Sequence, residues 1–237
     1  MKNKTITFFI LSILFILSCG EKKSSTSKII VKKPTLSDVF PEIKKESVKK
    51  IFDYDTTQWS DLHYLDSSII IDMRYATTNN FVKEKMYECG RCFLRPKVAQ
   101  AVVEAHQLLQ EKGLGLKMFD CYRPLPVQQK LWDKFKNPSY VTPPSKGSMH
   151  NRGAATDLTI VDSSNGKELE MGTEFDFFGE EAHHTYLKHS EKILNNRKLL
   201  KETMASVGFG HIRTEWWHYS YRKEKYELSE MLWKCGE

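Results

Sequence analysis

The sequence predicts a single α+β domain in which a small antiparallel sheet has helices packed around it. Residues 96–112 repeat apolar side chains at every third and fourth position, which is the periodicity of a helix that faces a core. Residues 114–120 alternate apolar and polar side chains directly afterwards, as a strand does. The chain has 237 residues, of which 40% are hydrophobic and 12% aromatic, enough for one buried core. A globular domain of mixed short helices and strands is therefore expected.

Residues 1–19 have the pattern of a bacterial secretory signal. Two lysines precede an apolar run over residues 6–17 that is too short to span a bilayer comfortably. Cys19 follows Leu-Ser in a sequence that resembles a lipobox, so we expect cleavage before Cys19 and lipidation of this residue. The alternative is an ordinary signal peptide with an unremarkable cysteine. The prediction is an exported protein, attached by lipid to a membrane of the cell envelope and facing the periplasm.

Residues 20–50 are rich in Lys and Ser and show no sustained periodicity, so we interpret them as a flexible tether. They contain nine Lys against four acidic residues, a net charge of +5. Residues 1–19 add +2, which leaves −1 of the total +6 for the folded domain at residues 51–237. A nucleic-acid partner is not expected, because it would require a basic face on the domain itself. Oligomeric state cannot be read from the sequence.

The first half of the domain begins with a strand over residues 68–74, followed by the polar loop 77–80. The clearest helix is 96–112, because Pro96 suits a first helical turn and Gly113 suits a C-terminal stop. We expect His106 within this helix to be exposed. The strand at 114–120 then ends before Pro124.

The second half of the domain continues with a helix over residues 127–135 and a loop rich in Pro, Ser and Gly. Residues 154–161 form a short apolar run with several β-branched side chains, typical of a core strand, and a hairpin-like Asn165-Gly166 follows. A third helix is predicted over residues 193–207, stopped by Gly208. The aromatic run from residue 215 to residue 221 predicts a last strand.

Three residues in or just before the last two predicted strands have the chemistry of a catalytic metal site. Zinc in such sites keeps three protein ligands and leaves one position for water, and His150, Asp157 and His218 supply two imidazoles and one carboxylate. A single histidine is far more often structural than a ligand, but a carboxylate at Asp157 in a core strand is costly unless it is paired or binds a metal. We therefore predict one Zn²⁺ per chain, located at the sheet.

Glu215 is the candidate catalytic base, because it precedes His218 by three residues and could exchange a proton with water at the metal. On a regular strand, however, residues three apart point to opposite faces. Glu215 and His218 can share a site only if Glu215 lies in the preceding loop or a bulge intervenes. We predict one of these two arrangements.

The motifs around these residues resemble those of a known family. Ser-Met-His-Asn-Arg-Gly-Ala-Ala-Thr-Asp at 148–157 and Glu-Trp-Trp-His-Tyr at 215–219 are similar to the two metal motifs of the D-alanyl-D-alanine dipeptidases, the VanX-type zinc dipeptidases. Three further stretches match in the same order, at residues 72–81, 119–124 and 171–177. The resemblance covers about residues 58–222. It implies zinc-dependent hydrolysis of the D-alanyl-D-alanine dipeptide, linked to peptidoglycan metabolism.

The resemblance also implies roles for individual residues. Arg123, which could equally be an ordinary surface ion pair, would stabilise the negative oxygen that develops on the scissile carbonyl. Asp176 is either a turn acid or a clamp for the substrate's ammonium group, and the resemblance favours the clamp. Ser148 would orient a metal ligand or contact the peptide. Residues 51–81 would cap the site, although Val82-Lys83 replaces the Thr-Gly pair expected there.

The remaining candidates are cysteines and two neighbouring histidines. Cys89 and Cys92 are separated by two residues, and two further cysteines, Cys121 and Cys235, leave the pairing open. We expect a short disulfide or free buried thiols here, not a redox function. His183 and His184 are expected to be solvated and not to bind zinc.

Two other functions remain open from the sequence. A D,D- or L,D-carboxypeptidase that acts on peptidoglycan stem peptides would use the same His, Asp, His and Glu set in a more open groove. A zinc-stabilised binding lipoprotein without catalysis would need the metal alone, and the candidate base Glu215 would then have no use.

Overall fold

The computed structural model describes residues 52–235. The predicted signal peptide at residues 1–19, its lipidation at Cys19 and the tether at residues 20–50 lie outside the described residues. None of the helices in the described part of the chain combines the length and hydrophobicity needed to cross a bilayer.

The fold is α+β, and its centre is a five-stranded mixed sheet. The strands are β1 (Ser60–Asp61), β2 (Ile70–Ile71), β3 (Phe93–Leu94), β4 (Leu114–Asp120), β5 (Ala155–Asp162), β6 (Phe209–His211) and β7 (His218–Tyr221). The main sheet has the order β2-β4-β5-β7-β6, and β1 pairs with β3 in a separate antiparallel ribbon.

The prediction of an antiparallel sheet is wrong at one edge. Strand β2 runs parallel to β4, whereas the other neighbours in the main sheet are antiparallel. A long connection that contains β3 and a helix separates β2 from β4 in sequence. Such a crossover, unlike a tight turn, returns the chain in the same direction.

Within residues 52–235, four α-helices accompany the sheet: α1 (Leu62–Leu65), α2 (Pro96–Gln110), α3 (Leu125–Lys134) and α4 (Glu191–Ser206). Helix α2 begins at Pro96 as predicted and packs against β4 and α4. Helix α4 begins after Ser190, whose Oγ accepts a hydrogen bond from the Ile193 N–H at 3.5 Å, the interaction of an N-cap. The three predicted helices are thus confirmed, with ends that differ by one or two residues.

The strand β5 is buried along almost its whole length, because it lies in the middle of the sheet. Its neighbour β4, whose predicted range is confirmed, covers one side, and β7 covers the other. Two of the predicted strands were too long. The strand expected over residues 68–74 is limited to Ile70–Ile71, and the strand expected from residue 215 begins at His218.

The prediction that His106 is exposed is wrong. His106 is 1% exposed, and its Nδ1 accepts a hydrogen bond from the Leu116 N–H at 3.0 Å. Its Nε2 lies 2.9 Å from the Ser68 hydroxyl. A buried polar side chain is tolerated when it is hydrogen-bonded, and here both ring nitrogens have a partner.

The cysteines form two long-range disulfides. Cys89 pairs with Cys235, and Cys92 pairs with Cys121. The expected short disulfide within Cys89–Cys92 is therefore wrong, and so is the alternative of free thiols. Neighbouring cysteines take separate partners because the fold brings Cys121 and Cys235 to this segment from distant positions in the sequence.

Candidate active site

Three side chains from different elements meet where the beginning of β5 pairs with the beginning of β7. His150 begins a short 3₁₀ turn that ends at Gly153, whose φ of 67° is a left-handed conformation that favours glycine. The turn leads directly into β5, and there Asp157 is the register partner of His218. Antiparallel pairing and one tight turn therefore bring together residues that are 68 positions apart.

The potential ligand atoms of these three residues converge on one point. His218 Nδ1 lies 3.0 Å from Asp157 Oδ1, and His150 Nε2 lies 3.1 Å from His218 Nδ1. Among the residues that the structure describes, this is the one group of three or more such side chains, with ligand atoms within 4.8 Å of one another. Burial alone would raise the pKa of Asp157, but hydrogen bonds and positive charge from the two histidines hold it well below its ordinary value.

Each histidine uses its other ring nitrogen for a hydrogen bond away from this point. His150 Nδ1 lies 2.7 Å from the Cys121 carbonyl oxygen, and His218 Nε2 lies 2.9 Å from Ser220 Oγ. Because a carbonyl only accepts, Nδ1 of His150 carries a proton, and in the neutral imidazole Nε2 then has the free lone pair that a metal requires. This is the arrangement of metal-binding histidines, whose second N–H is held by the protein. The donor set therefore fits a metal ion.

Glu215 lies in the loop between β6 and β7, and one of the two arrangements predicted for it is confirmed. It lines the same pocket as the three ligand candidates and is 8% exposed. Burial raises the pKa of Glu215 well above its ordinary value, and the carboxylates of Asp157 and Asp176 raise it further. The positive charge of Arg123 opposes these effects. A carboxyl group with a raised pKa next to a potential metal site is suited to proton transfer.

Arg123 lies just after β4 and is buried, so the alternative of a surface ion pair is wrong. Its Nε and Nη2 both donate to Asp120 Oδ2, at 3.0 and 2.6 Å. The remaining Nη1 donates to Gln128 Oε1 at 3.0 Å. Burial alone would lower the pKa of Arg123, but Asp120 raises it, so the guanidinium stays protonated. These contacts fix the cation at the wall of the pocket.

Asp176 and Ser148 also line this pocket, but their surroundings differ. Asp176 has a φ of 62°, and its Oδ2 accepts a hydrogen bond from the Tyr75 hydroxyl at 3.0 Å. Ser148 Oγ donates to Asn151 Oδ1 at 3.0 Å, inside the turn that carries His150. Asp176 therefore faces the cavity with a hydroxyl partner, whereas Ser148 mainly stabilises the turn.

The pocket has a volume of about 270 Å³, and aromatic rings narrow it on one side. The rings of Tyr140 and Phe178 stack with centroids 4.6 Å apart, and Phe81 packs against Phe178 at 5.0 Å. Phe81 and Tyr75 both come from the segment 51–81, which was expected to cap the site. The cavity is thus small and bounded by aromatic rings on one side.

The residues in contact with this site that were not identified from the sequence include Tyr75, Gln128 and Ser220. Ser220 follows His218 by two residues on one strand, so the period of two would have placed both on the same face. Tyr75 and Gln128 carry no such signal. Their contacts with Asp176 and Arg123 depend on elements that are distant in sequence or on the start of α3.

The prediction that His183 and His184 are solvated is wrong. Both residues are half-buried, and the Nε2 atoms of both are buried without a hydrogen-bond partner among the described residues. His183 Nδ1 lies 3.1 Å from Arg213 Nη1, and the ring of His184 packs against that of His211 at 4.7 Å. Neither belongs to the metal-capable group.

Acidic pH should destabilise the fold through His184. Burial lowers the pKa of His184 to about 3, and the nearby charges of His211, Lys201 and Arg197 add to this effect. The unfolded residue titrates near 6.5, so between about pH 6.5 and 3 only the unfolded chain binds this proton, and stability falls as the pH drops. The free energy of unfolding therefore decreases between pH 7 and pH 5. We expect His184→Gln to make this decrease smaller, by at most about 1.4 kcal/mol per pH unit. Urea unfolding at both pH values measures this, with the exposed His63→Gln as control; an unchanged pH dependence would contradict it.

Known proteins with similar sequences share one description. The profile of the family described as Peptidase_M15, D-ala-D-ala dipeptidase, matches residues 55–231. The D-alanyl-D-alanine dipeptidase of Escherichia coli (strain K12) is 35% identical over 165 residues, 70% of this chain and 85% of the relative. The D-alanyl-D-alanine dipeptidase of Enterococcus faecalis (strain ATCC 700802 / V583) is 32% identical over 178 residues, 65% of this chain and 87% of the relative. That of Enterococcus faecium is 32% identical over 178 residues, 67% of this chain and 88% of the relative.

Proposed function

Because this chain belongs to the peptidase M15 family of D-ala-D-ala dipeptidases, we propose that it hydrolyses the D-alanyl-D-alanine dipeptide in the pocket described above. It is a metallopeptidase of the dipeptidase type, connected with peptidoglycan metabolism. One observation carries the assignment of the site. The only metal-capable group among residues 52–235 shares a pocket with a buried glutamate and a buried arginine.

We assign the metal as one Zn²⁺ per chain, held by His150 Nε2, Asp157 and His218 Nδ1. When bound, zinc supplies a Lewis acid that lowers the pKa of water toward about 7. The protein's part is to hold the three donors in a fixed direction. The Cys121 carbonyl and the Ser220 hydroxyl do this for the two imidazoles.

Glu215 and Arg123 divide the remaining chemistry between them. Glu215 accepts a proton from the attacking water and later delivers it to the leaving amine, so the peptide C–N bond breaks and two molecules of D-alanine leave. Arg123 faces the oxygen of the scissile carbonyl, where negative charge develops as water adds. Its two hydrogen bonds to Asp120 hold the guanidinium in place before the substrate arrives.

Asp176 and Tyr75 are proposed to bind the substrate's ammonium group. A carboxylate next to a phenolic oxygen offers acceptors to a cation, and both side chains line the pocket. The aromatic rings of Phe81, Tyr140 and Phe178 leave little room beyond this point. A free dipeptide fits such a cavity better than the end of a long stem peptide, which favours the dipeptidase over a carboxypeptidase.

Substrate length is the decisive test of this proposal. We expect kcat/KM for free D-alanyl-D-alanine to exceed that for a stem pentapeptide ending in D-alanyl-D-alanine by at least about 10²-fold, because the longer peptide would meet the aromatic rings at the pocket. Release of D-alanine from equal concentrations of the two substrates measures this ratio. Rapid trimming of the pentapeptide would instead support the D,D-carboxypeptidase, and an L,D-carboxypeptidase would require a tetrapeptide stem.

We also propose that the protein is exported and attached to the cell envelope through lipid on Cys19. The two disulfides among residues 52–235 support export, because disulfides form and persist in oxidising compartments. Cys19→Ser should move the protein from the membrane fraction to the soluble fraction, because the acceptor of the lipid is lost. Immunodetection in both fractions measures this, and membrane retention of the variant would contradict the anchor.

A further inference from the structure

The segment Cys89–Cys92 has no place in the proposed reaction, but each of its two cysteines forms a disulfide with a distant residue. Cys92 joins Cys121, with a Cα–Cα distance of 5.2 Å, and both residues are fully buried. Cys89 joins Cys235 near the end of the chain. The first of these disulfides ends beside a proposed metal ligand.

Cys121 is in direct contact with His150. Its carbonyl oxygen lies 2.7 Å from His150 Nδ1, and this hydrogen bond leaves Nε2 as the nitrogen that faces Asp157 and His218. A second hydrogen bond joins the same two segments, because the Arg123 N–H donates to the His150 carbonyl at 3.1 Å. The position of the Cys121 backbone therefore sets the direction of the His150 ring.

The main sheet does not hold the backbone at Cys121. Pairing between β4 and β5 is irregular between Met118 and Asp120, and the last register pair is Asp120 with Asp157. Beyond that pair, the Tyr122 N–H donates to the Phe93 carbonyl at 2.9 Å. The disulfide to Cys92, the neighbour of Phe93, is the covalent link between this irregular end and the β1-β3 ribbon.

We propose that Cys92 and Cys121 are positioning residues for the metal site: their disulfide fixes the carbonyl that orients His150. The proposal rests on the proposed function only in that His150 binds a metal. Loss of the groups that orient a ligand lowers metal affinity by about 10- to 100-fold, and here the carbonyl remains but its position loosens. An effect near the lower limit, about tenfold, is expected.

The second disulfide provides a matched control. Cys89–Cys235 spans 146 residues in sequence, against 29 for Cys92–Cys121, so its loss should destabilise the folded chain at least as much. It holds the C-terminal segment, which also accepts hydrogen bonds from the Tyr122 hydroxyl at the Ser229 and Met231 carbonyls. These bonds remain when Cys89 and Cys235 are replaced, and neither cysteine touches a proposed ligand.

The test is Co²⁺ binding to the metal-free full chain, followed by its visible absorption spectrum. Cys92→Ser/Cys121→Ser should weaken Co²⁺ binding about tenfold and change the spectrum, since the ligand geometry changes. Cys89→Ser/Cys235→Ser should stay within about twofold of the unchanged protein and keep its spectrum, even if its Tm falls further. Cys92→Ala/Cys121→Val, which fills the apolar space, replaces the serine variant if that variant does not fold.

Two outcomes would overturn the proposal. One is unchanged Co²⁺ affinity and spectrum without the Cys92–Cys121 disulfide. The other is an equal loss in both disulfide variants that follows their Tm values, which would indicate a structural role alone. Failure of the proposed function is recognised separately, because His150→Ala would then leave Co²⁺ affinity unchanged in a protein that retains both disulfides.

Discussion

Glu215→Gln should lower kcat for D-alanyl-D-alanine by about 10²–10⁴-fold and leave the metal content unchanged. Glutamine has the shape of glutamate but cannot carry a proton from water to the leaving amine. Glu215 is not a member of the metal-capable group, so its replacement removes no ligand. The measurements are steady-state hydrolysis of the dipeptide and metal analysis of the same purified sample.

The exposed Glu227→Gln is the matched control, because it removes the same charge from a side chain that does not line the pocket. It should retain full activity. If Glu215→Gln also kept full kcat, Glu215 would not be the base. If the unchanged protein cleaved no D-dipeptide at all, a binding lipoprotein would become the better description.

Asp157→Asn should lower metal affinity by more than roughly 10²-fold, which is the largest loss expected when only an orienting partner is removed. Activity should fall together with the metal affinity. Asp157 provides the only negative charge in the ligand set, and its carboxylate lies 3.0 Å from His218 Nδ1. The amide keeps the shape of the side chain but is a weaker ligand. Titration of the metal-free protein with Zn²⁺ and hydrolysis at saturating Zn²⁺ separate affinity from turnover.

Asp162→Asn, at the far end of the same strand, is the control for this change. Asp162 Oδ1 accepts a hydrogen bond from the Ser164 N–H in a turn. Asp162 is not a member of the metal-capable group. This variant should bind Zn²⁺ normally. Normal Zn²⁺ affinity in Asp157→Asn as well would exclude Asp157 from the ligand set.

Local patterns in the sequence predicted most of the elements. The apolar repeat that begins at Pro96 specified α2, and the alternation over 114–120 specified β4, because each pattern depends only on the periodicity of one element. The same reasoning failed at His106. A polar residue in an amphipathic helix is usually exposed, and only the packed strand β4 supplies the Leu116 N–H that satisfies it.

The orientation of one strand and the disulfides were beyond local patterns. Strand β2 has two residues, too few for periodicity to indicate its direction or its partner. The pairing of Cys92 with Cys121 and of Cys89 with Cys235 joins positions 29 and 146 residues apart. Which cysteines form a disulfide depends on how the loops that carry them pack against the core, and no short-range pattern in the sequence indicates this.

By itself, the sequence determined which residue types the site contains, since His150, Asp157, His218 and Glu215 stand in motifs whose chemistry limits their use. Only the tertiary structure decided how these residues meet. The register of β5 with β7 pairs Asp157 with His218. Because β7 begins only at His218, Glu215 lies in the loop before the strand. The physical reason is that a motif fixes the chemistry of a side chain, whereas its direction depends on strand register and on hydrogen bonds from distant residues.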